Sequence, residues 1–381
     1  MDFSWTPEQI QLKETIIKFA QAELNHNLIQ RDRQREFNWD GWKKCSELGI
    51  QGLPIPTEYG GGNTDPLTTI YALEGLGYGC KDNGLNFSIN AHLWGCAMPI
   101  LSAGTESQKQ AYLPRLCSGE WVGALAISER EAGSDAYSLE TTAEKCGDHY
   151  VLHGSKMFVT NGPIADVILI FATLDPAKGA YGMTGFLMDK DSPGLSVSSA
   201  IEKMGLRTVP MSELSLQNCK VPVSNRLGEE GTGLVLFSHA MEWERGFILA
   251  PAVGAMERQL ESCVQYARQR HQFGQPISKF QMVANKIVDM RMRLETAQTM
   301  LYKVGWLKRK GESVVMEAAM TKLYISEAWV QSCQDAIQIH GGYGYLTEFE
   351  LERELRDALG SKLYSGTSEL QRLIIAQFME L

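Results

Sequence analysis

Two carboxylates, Glu242 and Glu244, stand just before Arg245 in the run Met241-Glu242-Trp243-Glu244-Arg245. On a helix they point about 200° apart at about 100° per residue, so only one can face a given site. Phe237, Met241 and Ile248, at spacings of four and seven, mark a buried face, and Glu244 borders it. A carboxylate half-buried there has its proton affinity raised by desolvation, which suits a general base. The plain alternative for both is a solvated or salt-bridged surface pair. A second polar stretch is Tyr364-Ser365-Gly366-Thr367-Ser368-Glu369-Leu370-Gln371-Arg372. Its Ser365 hydroxyl cannot hold a proton-accepting charge near neutral pH. In Gln338-Ile339-His340-Gly341-Gly342-Tyr343 the paired glycines would let a backbone come close to a ligand phosphate.

These groups need a frame. With 381 residues the chain has room for two or three domains and a sizeable core. A net charge of -9 argues against phosphate-backbone binding as the main task, although a local basic patch for an acidic partner remains compatible with it. Met1-Asp2-Phe3-Ser4-Trp5-Thr6-Pro7-Glu8 lacks a basic start and an apolar run, and no stretch approaches the roughly 20 apolar residues of a membrane span. The eight cysteines show no CxxC pair and no Cys/His ligand spacing. The expectation is a cytoplasmic enzyme with free thiols and no metal.

Helical patterns fill the first third. Thr6 can cap, Pro7 suits the first helical position, and Ile10, Ile17, Phe19, Ala20 and Leu24 offer an apolar face. A second segment runs from Ser107 to Leu113-Pro114, and Gly60-Gly61-Gly62-Asn63 reads as a loop. From about residue 120 the pattern turns to strands: Val167 to Ala172, Gly185 to Met188, Leu214 to Leu216 and Val221 to Val223. Their spacing suits a small antiparallel barrel or sandwich. Long helical patterns return at Leu234–Ala267, Phe280–Lys310 and Ser313–Ile339.

Four segments in order carry a resemblance. The first is Ala124-Leu125-Ala126-Ile127-Ser128-Glu129-Arg130-Glu131-Ala132-Gly133-Ser134-Asp135, and the second Gly154-Ser155-Lys156-Met157-Phe158-Val159-Thr160-Asn161-Gly162. The third is Arg268-Gln269-Arg270-His271-Gln272-Phe273-Gly274-Gln275-Pro276-Ile277, followed by Gln281; the fourth is the Gly341-Gly342 segment. With the Tyr364–Arg372 stretch, they resemble the acyl-CoA dehydrogenase family over essentially the whole chain. The resemblance implies an α+β fold: an N-terminal helical domain over residues 1–118, a middle β-barrel domain over 119–226 and a C-terminal helical bundle over 227–381. The order helical, β, helical agrees with the pattern above.

The resemblance also implies FAD as cofactor. Ser128 matches the hydroxyl that hydrogen-bonds the flavin ring, with Leu125, Ile127 and Gly133 around it. Ser134 matches a residue near the pyrophosphate and the thioester arm of the substrate. Arg130-Glu131 departs from the usual Pro-Gly turn, so the resemblance extends to the flanks of that loop and not to its path. Phe158 stands where an aromatic residue packs on the isoalloxazine, with Val159 beside it and Thr160 near flavin N5. Arg270 would face the diphosphate, Phe273 the cofactor's far end with Gln281 nearby, and Gln338, Gly341 and Gly342 the adenosine side. In the family those last segments serve a neighbouring subunit's cofactor, which implies a homo-oligomer, a tetramer in the common case. Thr367 and Glu369 return to the cofactor of their own chain.

In many members the residue between Tyr364 and Gly366 is a Glu base; here it is Ser365. The run before Arg245 is similar instead to the isovaleryl-CoA and long-chain branches, whose base precedes this Arg. That match makes Glu244, rather than Glu242, the catalytic base, with Arg245 ordering the base or the thioester arm. Within the family the chain resembles the prolyl-carrier-protein dehydrogenases and oxidases of natural-product pathways, including anatoxin-type alkaloids. The implied substrate is an L-prolyl thioester on an acyl carrier protein, oxidised to a pyrroline-carboxyl thioester, with Ser134, Ser365 and Gly366 on the substrate side. Trp243 is either a wall of the acyl pocket or a core or interface Trp. The alternatives are a short branched-chain acyl-CoA dehydrogenase, a silent FAD-binding scaffold and a flavin monooxygenase of the same fold. An acidic carrier would dock on a local basic cluster, either Lys308-Arg309-Lys310 or Arg31, Arg33 and Arg35.

Overall fold

The structure, a computed structural model, describes residues 4–381; Met1 to Phe3, part of the segment searched for a leader, lie outside the described residues. Helices α1 (Pro7–Glu23), α2 (Leu28–Gln34), α3 (Trp39–Glu47), α4 (Pro66–Gly79), α5 (Asn83–His92), α6 (Met98–Ala103) and α7 (Glu106–Cys117) come first. Thr6 and Gln9 form a reciprocal cap on α1, with Pro7 at its first position. Its buried stripe is Ile16, Ala20 and Leu24. The expected Ile10 is exposed: it lies in the first turn, about 80° around the helix from Ala20 at the centre of that stripe. Helix α7 also runs past Pro114 to Cys117: a proline this close to the helix end forfeits only one backbone bond.

Strands β1 (Gly123–Ala126), β2 (Thr142–Cys146), β3 (His149–Thr160), β4 (Val167–Thr173), β5 (Met183–Asp189), β6 (Leu195–Val197), β7 (Met211–Pro222) and β8 (Arg226–Leu227) form one sheet in the order β6-β7-β3-β2-β4-β5-β8, with β1 on β4. The sheet is mainly antiparallel, but β1 and β4 pair in parallel, which the sequence pattern did not indicate. Every residue of β4 is buried, and this accounts for its unbroken apolar run. Val167, Leu169 and Phe171 join the helical core, while Ile168, Ile170 and Ala172 join Tyr150, Leu152, Phe186 and Leu214 inside the β unit.

The remaining helices are α8 (Gly233–Phe247), α9 (Ala250–Gln269), α10 (Gln281–Arg309), α11 (Val315–His340), α12 (Leu351–Gly360) and α13 (Ser368–Phe378). The run expected as one helix from Leu234 to Ala267 is two, since Pro251 has no N–H for the Phe247 carbonyl and its ring would clash there. Between α9 and α10 a two-strand hairpin, β9 (His271–Gln272) and β10 (Gln275–Pro276), turns through Phe273 and Gly274 at φ 51° and 79°. Both are left-handed, as a tight hairpin turn requires. Helices α4 and α9 cross backbone to backbone: a Cβ on Gly77 would stand 1.9 Å from the Pro251 carbonyl oxygen, and one on Gly254 2.0 Å from that of Glu74. All eight cysteines are free thiols, and among the described residues no helix is long and apolar enough to cross a membrane.

Candidate active site

Helix α8 sorts its two carboxylates as their angular separation requires. Glu242 is buried and already engaged: its Oε1 accepts from Lys308 Nζ at 3.0 Å and from the Val314 N–H at 2.6 Å, just before α11. Glu244 turns instead to the Tyr364–Thr367 turn, where the Ser365 hydroxyl donates to its Oε1 at 2.5 Å. Burial pushes the Glu244 carboxyl above the usual carboxylate range, against the opposing pull of the Ser365 hydroxyl, Arg245 and Lys322. Ser365 reaches Glu244 from a left-handed backbone at φ 55°, and Gly366 follows at φ 88°. For a residue with a side chain that conformation is costly, and it persists where the surroundings impose it.

The surroundings are identifiable. The Ser365 carbonyl accepts from Arg245 Nε at 3.2 Å and Gln371 Nε2 at 3.1 Å. The Gly366 carbonyl accepts from Gln371 Nε2 at 2.9 Å and Lys322 Nζ at 2.6 Å. Ahead of the turn, Tyr364 packs on Phe87 at 4.4 Å between ring centroids. On the opposite side a π-helical turn, Leu93–Ala97, brings Gly95 close: a Cβ there would stand 3.1 Å from that of Leu125 and 4.0 Å from Glu244 Oε2. Such one-turn π segments recur at functional sites. Trp243 stacks on Trp94 with centroids 6.0 Å apart and packs on Phe247, while Lys308 lies over its face at 4.7 Å. This is a packed layer under Glu244, in line with the core alternative for Trp243.

The residues expected around a flavin ring gather on β1, β3 and the loop after β1. Leu125, Ile127, Ser128 and Thr160 are half-buried, and Gly133 and Ser134 are exposed. Val159 is different: its side chain turns into the interior of the β unit, so only its backbone is available to a ligand. At a register shift between Lys156 and Val159, Phe158 adopts φ 57° and leaves 60% of itself exposed. Two buried charges that the motif comparison passed over hold this region. Lys156 Nζ donates to Glu129 Oε1 at 2.6 Å and to the Ile127 carbonyl at 3.2 Å, and Glu129 accepts from the N–H groups of Glu140 and Thr141. The pair ties both ends of the Ser128–Glu140 loop to β3. Asn161, at the end of β3, donates to the carbonyls of Ser88 and Gly123 and so fixes the strand to α5 and β1.

A second cluster lies at the far end of α9 and α11. Arg270, Gly341 and Gly342 line one cleft of about 450 Å³ with Tyr266, His340 and Tyr343. Arg270 stands over the Tyr343 ring at 5.5 Å. Gly341 has φ 59°, and a Cβ on either glycine would meet nothing within 4 Å, so the space before them is open. Gln338, Gln281 and Phe273 are exposed outside that lining, Phe273 by 93% at the hairpin tip. None of Glu244, Ser365, Phe158 or Thr160 borders the cleft. Thr367 caps α13, accepting from the Leu370 N–H, and Glu369 is exposed in its first turn.

The basic clusters expected to dock a carrier each lose one cation to the interior. Lys308 is withdrawn from the surface by Glu242. Arg31 is mostly buried, donating to Asp82 and to the carbonyls of Leu24 and His26, and Arg35 pairs with Glu202 at 2.5 Å. Arg33, Arg309 and Lys310 stay exposed, Lys310 over the Trp306 ring at 3.7 Å. Among the described residues no group of three or more His, Cys, Asp or Glu is placed to hold a metal.

Family models match the chain in three consecutive parts: acyl-CoA dehydrogenase N-terminal domain at residues 6–120, middle domain at 124–219 and C-terminal domain at 231–380. An L-prolyl-[peptidyl-carrier protein] dehydrogenase of Pseudomonas fluorescens is 41% identical over 382 residues, covering 100% of both chains. The crystal structure of the prolyl acyl carrier protein oxidase AnaB superposes with a TM-score of 0.99 at 60% identity, over 99% of this chain and 100% of that one. A structure of PigA with FAD and proline superposes with a TM-score of 0.98 at 39% identity, over 100% of both.

Proposed function

Because the chain belongs to the acyl-CoA dehydrogenase family, we propose that it oxidises an L-prolyl thioester on an acyl carrier protein to a pyrroline-carboxyl thioester, with FAD as cofactor. The observation that carries this is Glu244: a half-buried carboxylate of raised proton affinity, held at one oxygen by Ser365 and separated from the occupied Glu242.

The residues present fit FAD. Phe158 offers an exposed flat ring on a strained bulge, and a bulky residue at positive φ is rare without a functional reason. Arg270 beside two glycines facing open space suits a diphosphate, since guanidinium geometry matches paired phosphate oxygens. Ser128 and Thr160 would hold the ring edge; Arg270, Gln338, Gly341 and Gly342 would hold the dinucleotide of a neighbouring chain. When bound, FAD supplies the acceptor for the hydride that leaves the substrate.

The chain's own residues do the rest. Glu244 Oε1 is fixed by Ser365, which leaves Oε2 to take the proton from the carbon next to the thioester carbonyl. One proton and one hydride leave, and a double bond forms. Gln371, Arg245 and Lys322 hold the Ser365–Gly366 turn by its carbonyls, and among the described residues its two N–H groups find no acceptor, so they remain for the substrate carbonyl oxygen, where negative charge develops. Ser365 thus stands where many relatives place their base, and serves as a hydrogen-bond donor to a base on α8. We further take the protein to be a cytoplasmic homo-oligomer, a tetramer or at least a dimer.

The prolyl group follows from the relatives named for that substrate, at 41% and 60% identity over full length. The test offers the holoenzyme a carrier protein loaded with proline and, separately, isovaleryl-CoA, while flavin absorbance is followed. Bleaching is expected with the prolyl carrier and little or none with isovaleryl-CoA or straight-chain acyl-CoA. Rapid bleaching by isovaleryl-CoA alone would place the chain in branched-chain acyl-CoA metabolism, and bleaching by neither would make it a silent flavin scaffold.

A further inference from the structure

Lys322, in the middle of α11, is fully buried at 0% exposure, and among the described residues no carboxylate lies within ion-pair distance of its Nζ. An unpaired buried ammonium is expensive, so it needs a reason. Among the described residues its strong contact is the 2.6 Å hydrogen bond to the Gly366 carbonyl, with the Tyr364 ring 6.0 Å from Nζ. Glu327, five residues further along α11, is not its partner, because Lys362 and the Ser368 hydroxyl hold that carboxylate at 2.7 and 2.8 Å. The charge therefore sits behind the turn whose next residue back, Ser365, donates to Glu244.

We propose that Lys322 is a positioning residue for this reaction: its ammonium holds the Ser365–Gly366 turn on Glu244 and supplies a positive field that favours the ionised, proton-accepting carboxylate. The inference rests on Glu244 being the base. The charged and titratable groups that face Lys322 are Arg245 and Glu244 from α8, Glu327 on its own helix, Glu369 from α13 and Tyr364 from the turn. Burial first, then Arg245, brings the lysine down to about 7, while the three carboxylates oppose. Below that pH it is charged, and there the base most needs help, since burial has raised Glu244. Removing the cation lets the Glu244 carboxyl rise further, so the acid limb of the pH profile must move to higher pH.

The experiment compares the pH dependence of substrate-driven flavin bleaching in wild-type, Lys322→Gln and Lys322→Met holoenzymes. Both variants should shift the acid limb upward by about one pH unit, which is about a tenfold loss of rate below the limb. Lys322→Gln keeps a donor for the Gly366 carbonyl and should retain more of the plateau rate than Lys322→Met. If Lys322→Met does not yield holoenzyme, the shift is read from Lys322→Gln. A uniform drop in rate with the limb unmoved would mean a structural lysine and overturn the proposal. Glu244→Gln runs beside them: if that variant keeps turnover, the base assignment itself has failed, an outcome separate from an unmoved limb.

Discussion

Glu242 and Glu244 share a helix, yet burial acts on them in opposite ways. Glu242 meets a cation and an N–H, so its charge is neutralised where it sits. Glu244 meets a hydroxyl and more distant cations, so its ionised form stays unfavourable and available for protonation. We predict that Glu244→Gln keeps FAD and loses substrate-driven bleaching by at least a factor of about 10²–10⁴, the usual contribution of a general base. The same variant should melt no lower than wild type. A carboxylate whose folded pKa is raised contributes stability below its unfolded pKa and loses it as pH rises through the folded one, and the amide has nothing to lose. The melting-temperature gap should therefore widen from pH 5 to pH 8. Glu242→Gln should behave in reverse: most activity per bound flavin retained, but stability lower by about 3 kcal/mol, since Lys308 is left without a counter-charge in a buried place. Denaturant melts with parallel bleaching assays check both. Wild-type turnover in Glu244→Gln would end the assignment.

At the scale of elements, the site depends on close backbone approaches that side-chain patterns only partly reveal. The crossing of α4 and α9 is the tightest. Gly254→Ala would drive a methyl against the Glu74 carbonyl, 2.0 Å away, with no flexible side chain to yield. Overpacking of this kind costs about 1–3 kcal/mol, so the melting temperature should fall while the flavin spectrum of the surviving protein stays unchanged; an unaltered melting temperature would show that the helices can part. The sequence made the long helices, the β middle and the Glu244 side of α8 legible, because periodicity and the spacing to Arg245 are local. It did not reveal the parallel β1–β4 pairing, which joins segments some forty residues apart, nor the helix break before Pro251, where apolar residues continue through the kink. Buried cations misled most. Lys308 and Arg31 look like surface charge in a sequence, and only their partners Glu242 and Asp82 show otherwise. Lys156 and Lys322 had a usable signal: Lys156 shares strand parity with the buried Tyr150 and Leu152, and Lys322 lies one turn from the buried Ala318 and Ser326.

The whole molecule leaves apolar surface that a lone chain has no use for. Met282, Val288 and Met292 stand exposed along α10, and Phe273 projects from the hairpin just before it. Beside them a groove between α9 and α10 is lined by Leu260, Val264, Ile287 and Val288, with Arg268 and Arg291 at its edge. An apolar strip rimmed by charge is the usual appearance of a protein interface. The cleft holding Arg270, Gly341 and Gly342 lies on this same bundle and does not include the residues around Glu244. A chain that completes its neighbour's cofactor site explains both facts together. We therefore predict a yellow protein with one FAD per chain that runs as a dimer or tetramer in light scattering coupled to gel filtration. Val288→Asp, which puts charge into the strip at a position not itself proposed to hold FAD, should give smaller species and lower flavin content in parallel. Loss of flavin in step with loss of size then reports lost assembly. Recovery of a stable, fully flavinated monomer, from wild type or from Val288→Asp, would show that each chain holds its cofactor alone.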